Sequence, residues 1–317
     1  MATRLILDCD TGTDDAVAIM AAAGHPLLEL AAVTTVNGNV PLENTTDNTL
    51  RVLDHIGSSV PVYAGCSRPL MREDFPIPRD VLNADHPEFQ VKHLDLPLAV
   101  SAARSRDAVS FLIDTYLAQD AHDIVLVATG PLTNVAAALA AEPQLAARIP
   151  RLVIMGGAVA GGNVTASAEF NFWVDPEAAA AVLSAGIRDV TIVPLDATHS
   201  APLTLADCAT FDAIGTPAAL AASAFVRHRI LTALQAGEDS AAVHDALCVA
   251  YLVDPEVITA SVLRAVGVET TGTLTLGELV VDERPWSVEP ANARVALRGD
   301  SRRFAGVLAE AFAGGFG

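Results

Sequence analysis

Short apolar runs alternate with longer segments of helical character along almost the whole chain, and this alternation limits the fold more than any other feature. The runs predict buried strands, and the segments between them predict helices that cover a sheet. The predicted strands are 5–7, 28–36, 60–63, 124–128, 152–155, 190–194, 266–275 and 294–297; the predicted helices are 14–23, 42–56, 108–118, 132–141, 176–183, 218–234, 245–252 and 302–312. The pattern predicts an α/β protein with a single open, mostly parallel (mixed) sheet flanked by helices, in one domain spanning 1–317.

One segment, 69–97, interrupts the alternation. It carries Pro, His and Asp residues without a clear period, and its length is typical of a functional loop or lid. In a doubly wound sheet, ligands bind beyond the carboxyl ends of the strands. We therefore expect the functional residues among the polar clusters that follow the predicted strands.

The charge balance narrows the classes of partner. Asp and Glu total 38 against 19 Lys plus Arg, which gives a formal net charge of −19. A field of that sign repels phosphate backbones and anionic lipids, so nucleic acids and membrane surfaces are not expected partners. Neutral small molecules and metal cations are compatible with it. The N-terminus has no stretch long enough for a signal peptide, and no segment approaches the roughly 20 apolar residues of a membrane helix.

Because the sequence shows neither a signal-peptide pattern nor a membrane helix, we expect a cytoplasmic protein. The four cysteines, Cys9, Cys66, Cys208 and Cys248, match no zinc or disulfide framework and are expected to be reduced, buried thiols.

Four carboxylates follow the first predicted strand within eight residues, at Asp8, Asp10, Asp14 and Asp15. Like charges packed this closely are unfavourable unless a cation neutralises them. Oxygen donors favour a hard cation, Ca²⁺ or Mg²⁺, over zinc. A solvated helix N-terminus is the alternative reading, because Asp is common in the first turn of helices. Gly12, which allows a sharp turn after the strand, favours the metal site.

The acidic segment 8–16 resembles the N-terminal signature of the inosine-uridine-preferring nucleoside hydrolase family, which usually has Pro where this chain has Thr11. Four later segments resemble further motifs of that family in the same order. They are Thr35-Val36-Asn37-Gly38-Asn39, the run 128–134, the run 155–157 with 162–163 and 168–178, and Val243-His244-Asp245-Ala246. The resemblance implies a Rossmann-like nucleoside hydrolase fold and hydrolysis of the N-glycosidic bond of ribonucleosides to ribose and free base.

The resemblance also implies a Ca²⁺ ion and a set of roles. The family's metal ligands match Asp10, Asp15, the backbone carbonyl of Thr129, and Asp245. Asp10 matches the base that activates a calcium-bound water, and His244 matches the proposed acid for the leaving base; Asn39 is counted with these catalytic residues. Considered alone, Asp245 is equally typical of a helix N-cap, and His244 of a structural histidine.

Sugar recognition is implied in the same way. Asp14, Asn39 and Asn171 match the residues around the 2′ and 3′ hydroxyls, and Asn163 and Glu169 match those around the 5′ hydroxyl. Phe170, between two of these residues, is included in the substrate-binding set. Trp173 in the same motif is expected to pack in the core. The family further suggests a homodimer or homotetramer that acts on nucleosides in salvage or catabolism.

Two regions depart from the family pattern. Residues 82–90 lack the glycines of a His-Gly-x-x-Gly-Leu segment, although His86 is a candidate for its histidine. Residues 227–232, which include Arg227-His228-Arg229 and Thr232, have no tyrosine where some members place them. Both regions are expected near the nucleobase or over the sugar, so they leave the choice between purine and pyrimidine open.

Two other functions compete with this prediction. A phosphatase of the haloacid dehalogenase type also begins with a strand and Asp-x-Asp, which Asp8-Cys9-Asp10 fits; Gly12 and the sole lysine, Lys92, do not fit it. A non-catalytic nucleoside-binding protein of the same fold is the second alternative, since a fold alone does not fix function.

Overall fold

The computed structural model describes residues 2–72, 91–118, 122–234 and 237–315. The strands are β1 (Thr3–Cys9), β2 (Leu28–Thr35), β3 (Val62–Ala64), β4 (Val125–Ala128), β5 (Leu152–Met155), β6 (Val190–Val193), β7 (Leu203–Thr204), β8 (Ser240–Ala241), β9 (Ile258–Arg264), β10 (Val266–Val268), β11 (Leu279–Val281) and β12 (Ala293–Gly299). The helices are α1 (Thr13–Gly24), α2 (Leu42–His55), α3 (Ala108–Leu117), α4 (Thr133–Ala141), α5 (Leu145–Arg148), α6 (Phe170–Val174), α7 (Pro176–Ser184), α8 (Leu195–His199), α9 (Leu205–Ile214), α10 (Pro217–Ala233), α11 (His244–Val253) and α12 (Ser301–Ala313).

Eight of these strands form the central sheet, in the order β3-β2-β1-β4-β5-β6-β12-β9. The pairs from β3 to β12 are parallel, and β9 joins β12 antiparallel. The predicted mostly parallel, mixed sheet is confirmed. Because the strand order reverses next to β1, between β1 and β4, the loops after these strands diverge and leave a crevice at their carboxyl ends.

Helices cover both faces of this sheet because successive side chains of its strands point to opposite sides. Leu5, Leu7 and Cys9 of β1 lie in one buried cluster, with apolar residues of α1, α10, α11 and α12. Ile6 of the same strand lies in the second cluster, which α3, α4 and α7 complete. The central strands are therefore apolar on both faces, which explains why they read as continuous hydrophobic runs in the sequence.

Two elements of the C-terminal region differ from the prediction. The predicted strand 266–275 ends at Val268, because Glu269 Oε1 accepts the N–H groups of Thr271 and Gly272 at 2.7 and 3.0 Å and turns the chain. The edge strand β9 was not predicted. Five of its seven residues are exposed, so it shows no apolar alternation that would mark it as a strand.

Several smaller expectations can be compared with the structure. Trp173 is 3% exposed and packs with Ala168 and Val174, as predicted. The cysteines are free thiols; Cys66 is only half-buried, because it follows the short strand β3 and lies near the surface. In the described part of the chain, no helix is long and apolar enough to cross a membrane. The single-domain boundary 1–317 stays a prediction, and His86 lies outside the described residues.

Candidate functional site

An acidic cavity lies at the carboxyl ends of the parallel strands. Asp10 follows β1, Asn39 follows β2 and Thr129 follows β4, so the parallel register brings these three to one edge of the sheet. The cavity is lined by Asp10, Asp14, Asn39, Thr129, Met155, Asn163, Glu169, Phe170, Asn171, Arg229, His244 and Asp245. With Asp15, which lies buried behind this wall, the set includes every residue that the sequence predicts for the site.

The backbone that follows β2 holds Asp10 in place. The N–H of Asn39 donates a 2.6 Å hydrogen bond to Asp10 Oδ2. A side chain at Gly38 would collide with that carboxylate, and a Cβ at Gly130 would lie 3.0 Å from its other oxygen. Glycine at these two positions therefore lets two backbone segments approach the Asp10 carboxylate closely.

Asp15 is held by a different set of donors. Its Oδ2 accepts the N–H of Gly12 at 3.0 Å and Asn39 Nδ2 at 3.2 Å, and its Oδ1 accepts the Thr129 hydroxyl at 3.0 Å. Asp14 and Asp15 occupy the first turn of α1, and Asp245 that of α11. One carboxylate oxygen from each of these three acids lies within 4.8 Å of the others. Asp14 thus completes the tight group, with Asp10 beside it.

Burial and mutual repulsion act together on these acids. Desolvation, followed by the charge of Asp14, raises the pKa of Asp15 to about 7. Desolvation and the charge of Asp15 raise the pKa of Asp10 well above its usual range, and desolvation and the charges of Asp14, Asp15 and Asp10 do the same for Asp245. The ionised cluster needs a compensating positive charge.

The donor set fits a hard divalent cation. Every side chain of the tight group offers carboxylate oxygen, and no thiol or imidazole belongs to it. The carbonyl oxygen of Thr129, a predicted ligand, accepts Asn171 Nδ2 at 2.7 Å, and a carbonyl oxygen has a second lone pair. Ca²⁺ and Mg²⁺ prefer such all-oxygen sites, whereas zinc prefers nitrogen and sulfur.

The opposite wall of the cavity is polar and pre-arranged. Glu169 begins α6, and its carboxylate accepts the N–H groups of Gly157, Asn171 and Phe172. Burial nevertheless raises the pKa of Glu169 to about 7. Asn163 Oδ1 accepts the N–H of Phe170 at 3.0 Å, which fixes the loop that carries it. The short helix α6, which the sequence did not reveal, therefore presents Glu169, Phe170 and Asn171 together.

His244 lies in the wall between this cavity and a neighbouring one. Its Nδ1 is 2.8 Å from the Thr198 hydroxyl, which itself donates to the carbonyl of Leu195 at 3.3 Å. A hydroxyl has one proton to donate, so Thr198 accepts from the Nδ1–H of the imidazole. Burial and the charge of Arg229 lower the pKa of His244 to about 3. This shift favours the neutral form of the His244 ring.

The neighbouring cavity, which is larger, shares Arg229 and His244 with the acidic cavity. The other residues that line it are His199, Pro202, Thr232, Ala233, Glu238, Ser240, Ala241 and Ala242. Sequence reasoning noted Arg229 and Thr232 only as a departure from the family pattern. Thr198 and His199, on α8, carried no sequence signal, because their partner His244 is more than 40 residues away.

Asp8 does not join the acidic cavity. It is fully buried, and its Oδ1 accepts the Thr34 hydroxyl at 2.6 Å and Asn134 Nδ2 at 2.8 Å. Asn134 also donates to the carbonyl of Thr35 and accepts the N–H of Cys66, so it ties strand ends together. Burial raises the pKa of Asp8 to about 6. A haloacid dehalogenase-type phosphatase needs this residue as an accessible nucleophile, and the structure excludes that role.

Comparison with known proteins agrees with this geometry. The model of the "Inosine-uridine preferring nucleoside hydrolase" family matches residues 5–306. The chain is 40% identical over 319 residues to a "Pyrimidine-specific ribonucleoside hydrolase RihA" of Salmonella gallinarum, covering 98% of both chains. It is 37% identical over 312 residues to a "Pyrimidine-specific ribonucleoside hydrolase RihB" of Escherichia coli, covering 98% of this chain and 97% of the relative. A solved "Purine-Preferring Ribonucleoside Hydrolase from Gardnerella vaginalis" superposes with a TM-score of 0.87 at 31% identity, covering 98% of each.

The sheet, the carboxylate cluster at its edge and these relatives define an enzyme of the glycosidase class of hydrolases. The chain belongs to the inosine-uridine preferring nucleoside hydrolase family. The enzyme class excludes the alternative of a non-catalytic binding protein.

Proposed function

We propose that this enzyme hydrolyses pyrimidine ribonucleosides with Ca²⁺ as its cation. The observation that supports the reaction best is the convergence of Asp14, Asp15 and Asp245 within 4.8 Å, beside Asp10, at a cavity whose wall also carries three asparagine amides and Glu169. The preference for pyrimidines rests on the 37–40% identity to pyrimidine-specific relatives over almost the whole chain. By resemblance to the family, the enzyme is a cytoplasmic homodimer or homotetramer of nucleoside catabolism.

Ca²⁺ bound by Asp10, Asp15, Asp245 and the Thr129 carbonyl would lower the pKa of a water molecule and hold vicinal hydroxyls. Asp10 accepts the proton of the attacking water as the glycosidic bond breaks. The hydrogen bond from the Asn39 N–H holds Asp10 Oδ2, so its other oxygen, Oδ1, can take that proton. This proton transfer contributes a factor of about 10² to 10⁴ in rate.

The ribose lies across the acidic cavity. Asp14, Asn39 and Asn171 bind the 2′ and 3′ hydroxyls, and Asn163 and Glu169 bind the 5′ hydroxyl. Asn171 is already fixed by hydrogen bonds to the carbonyls of Thr129 and Met155, at 2.7 and 3.1 Å. Groups held in place before binding lose little entropy when the sugar arrives, so the site can favour the distorted, oxocarbenium-like transition state.

The neighbouring cavity receives the nucleobase, with His244 at the boundary. Because Nδ1–H donates to Thr198, Nε2 is the nitrogen that can exchange a proton with the base. Because burial and the charge of Arg229 lower the pKa of His244, Nε2 takes up a proton from solvent as negative charge develops on the departing base. His244 then acts as the proton donor late in bond cleavage.

A panel of ribonucleosides tests the proposed specificity. Uridine and cytidine are expected to release ribose with kcat/KM at least about 10-fold above that of inosine and adenosine, a difference within the reach of pocket contacts. Ribose release is measured by a reducing-sugar assay with added Ca²⁺. Enzyme treated with a chelator serves as the blank. Equal rates on purines would overturn the pyrimidine preference, and no ribose release from any nucleoside would overturn the reaction.

His244→Ala is expected to lower kcat on uridine by about 10² to 10⁴. With p-nitrophenyl riboside, whose leaving group departs as a stable anion, the loss should stay below about 10-fold, because no proton donor is needed. Both substrates are followed in steady-state assays on the same preparation. The control is His25→Ala, at a buried histidine whose Nε2 lies 3.8 Å from Glu310, outside both cavities. Equal losses on the two substrates would remove His244 from this role.

A further inference from the structure

Arg229 is a buried cation in a strongly acidic chain. It lies on α10, is 7% exposed, and forms part of the wall of both cavities. A guanidinium out of water is costly unless several acceptors satisfy it. The acceptors that it contacts therefore show what the residue does in the site.

Arg229 is held by contacts with residues of two separate segments. Nη1 lies 3.2 Å from Asp14 Oδ1 and donates to the hydroxyl of Thr13, also at 3.2 Å. Nε donates to the carbonyl of Ala242 at 3.0 Å, two residues before His244. The guanidinium thus joins the first turn of α1, which carries Asp14 and Asp15, to the segment that leads into α11, which carries Asp245.

We propose that Arg229 is a positioning residue that orients the Asp14 carboxylate towards the sugar and so makes the enzyme select a 2′-hydroxyl. This inference rests on the proposed function, in which Asp14 binds that hydroxyl. Asp14 has Asp15 as its chain neighbour and Asp10 and Asp245 close by, and repulsion among them would turn its side chain away. The ion pair with Arg229 occupies Oδ1 and fixes the carboxylate plane.

The chemistry of the guanidinium suits this task better than that of an ammonium. Its N–H groups point in fixed directions, so Nη1 and Nε hold one orientation between Asp14 and Ala242. A site built to bind a substrate hydroxyl strongly rejects the analogue that lacks it, provided that the acceptor is held in place. A misplacement of about 1 Å costs about 10²-fold in rate. Loss of Arg229 should therefore reduce the rate that the enzyme gains by binding the 2′-hydroxyl, and it should affect the other contributions to rate less.

The test compares uridine with 2′-deoxyuridine in the Ca²⁺-loaded enzyme. Arg229→Gln is expected to lower kcat/KM for uridine by about 10²-fold and that for 2′-deoxyuridine by less than about 3-fold, so that the preference for ribose falls about 30-fold or more. Arg229→Lys keeps the positive charge but loses the fixed N–H directions of the guanidinium. Its preference for uridine should lie between that of the wild type and that of Arg229→Gln. In an Asp14→Asn background, Arg229→Gln should leave the remaining preference unchanged, because the two residues act as one unit.

Arg51→Gln is the matched control. Arg51 is also a buried arginine, bonded to Asp47 at 2.7 Å and to the carbonyl of Leu96, but it lies on α2 outside both cavities. The substitution should lower stability without changing the ribose preference. Calcium affinity, measured by titration calorimetry, should not fall in Arg229→Gln, because the substitution removes a positive charge from the metal site.

The outcomes separate this inference from the function on which it rests. If the wild type cleaves both nucleosides equally well, Asp14 does not bind the 2′-hydroxyl, and the inference fails while the proposed hydrolysis stands. If the wild type prefers uridine and Arg229→Gln prefers it as strongly, only the role of Arg229 fails. Equal losses on both nucleosides together with weaker calcium binding would make Arg229 a purely structural residue and would also overturn the inference.

Discussion

Asp10→Asn is expected to reduce kcat on pyrimidine ribonucleosides by about 10³-fold, the middle of the range for loss of a general base. The amide keeps an oxygen that can accept the Asn39 N–H, so the fold and the approach of the backbone at Gly38 are preserved. It cannot take a proton from water at neutral pH. Steady-state ribose release measures the loss, and circular dichroism checks the fold.

Asp8→Asn serves as the matched control for this prediction. Asp8 lies two residues earlier, is equally buried and bonds to Thr34 and Asn134 instead of facing the cavity. Its substitution should lower the melting temperature while kcat stays within about 10-fold of wild type. An Asp10→Asn enzyme that keeps more than a tenth of wild-type kcat would show that the base lies elsewhere.

Saturating Ca²⁺ is expected to raise the melting temperature by about 4 °C at pH 8 and by much less at pH 5. Burial and mutual repulsion raise the pKa of Asp15 to about 7 and raise the pKa values of Asp10 and Asp245 well above their usual range. Acids whose pKa is raised on folding stabilise the metal-free fold below their unfolded values near 4, and this contribution is lost as pH rises through 7. The ion relieves that repulsion and competes with protons for the same oxygens.

The size of this effect follows from linkage. An ion at about 100 times its dissociation constant stabilises the fold by about 2.7 kcal/mol. For a chain of 317 residues each kcal/mol corresponds to a shift of about 1.5 °C. Differential scanning fluorimetry with Ca²⁺, Mg²⁺ or chelator at both pH values gives the measurement, and chelation should also abolish turnover. Asp245→Asn should remove most of the shift at pH 8. A shift of the same size in that variant would place the ion at another site.

The sheet and the acidic residues of the site could be predicted from the sequence, because both are marked by local patterns of apolar and polar residues. The central strands are apolar on both faces, and polar residues such as Asp10, Asn39 and Thr129 directly follow their ends, so parallel pairing brings them together. The exposed edge strand β9 has no such pattern, because only its backbone pairing with β12 defines it. Side-chain contacts between residues far apart in the chain could not be predicted either, because they leave no local pattern.

Arg229 shows this limit most clearly. Its partner Asp14 is 215 positions earlier in the chain, and in the sequence the residue was only a departure from a tyrosine pattern. Asp14 itself was predicted for the sugar, while the structure brings it into the tight group with Asp15 and Asp245. Spacing alone does not distinguish Asp10 from Asp14, because which carboxylate turns towards its neighbours depends on donors such as Asn39 and Arg229.

The close approach of Gly38 and Gly130 to Asp10 has a consequence for attempts to retune this enzyme. The Asp10 carboxylate is enclosed by main chain on two sides, so substitution of the side chains around it has little freedom to move it. Variation at these two glycines should be avoided in directed evolution. Changes of substrate range are better sought among the residues of the neighbouring cavity, such as Thr232 and Ala233, where the lining is made of side chains and the space is wider.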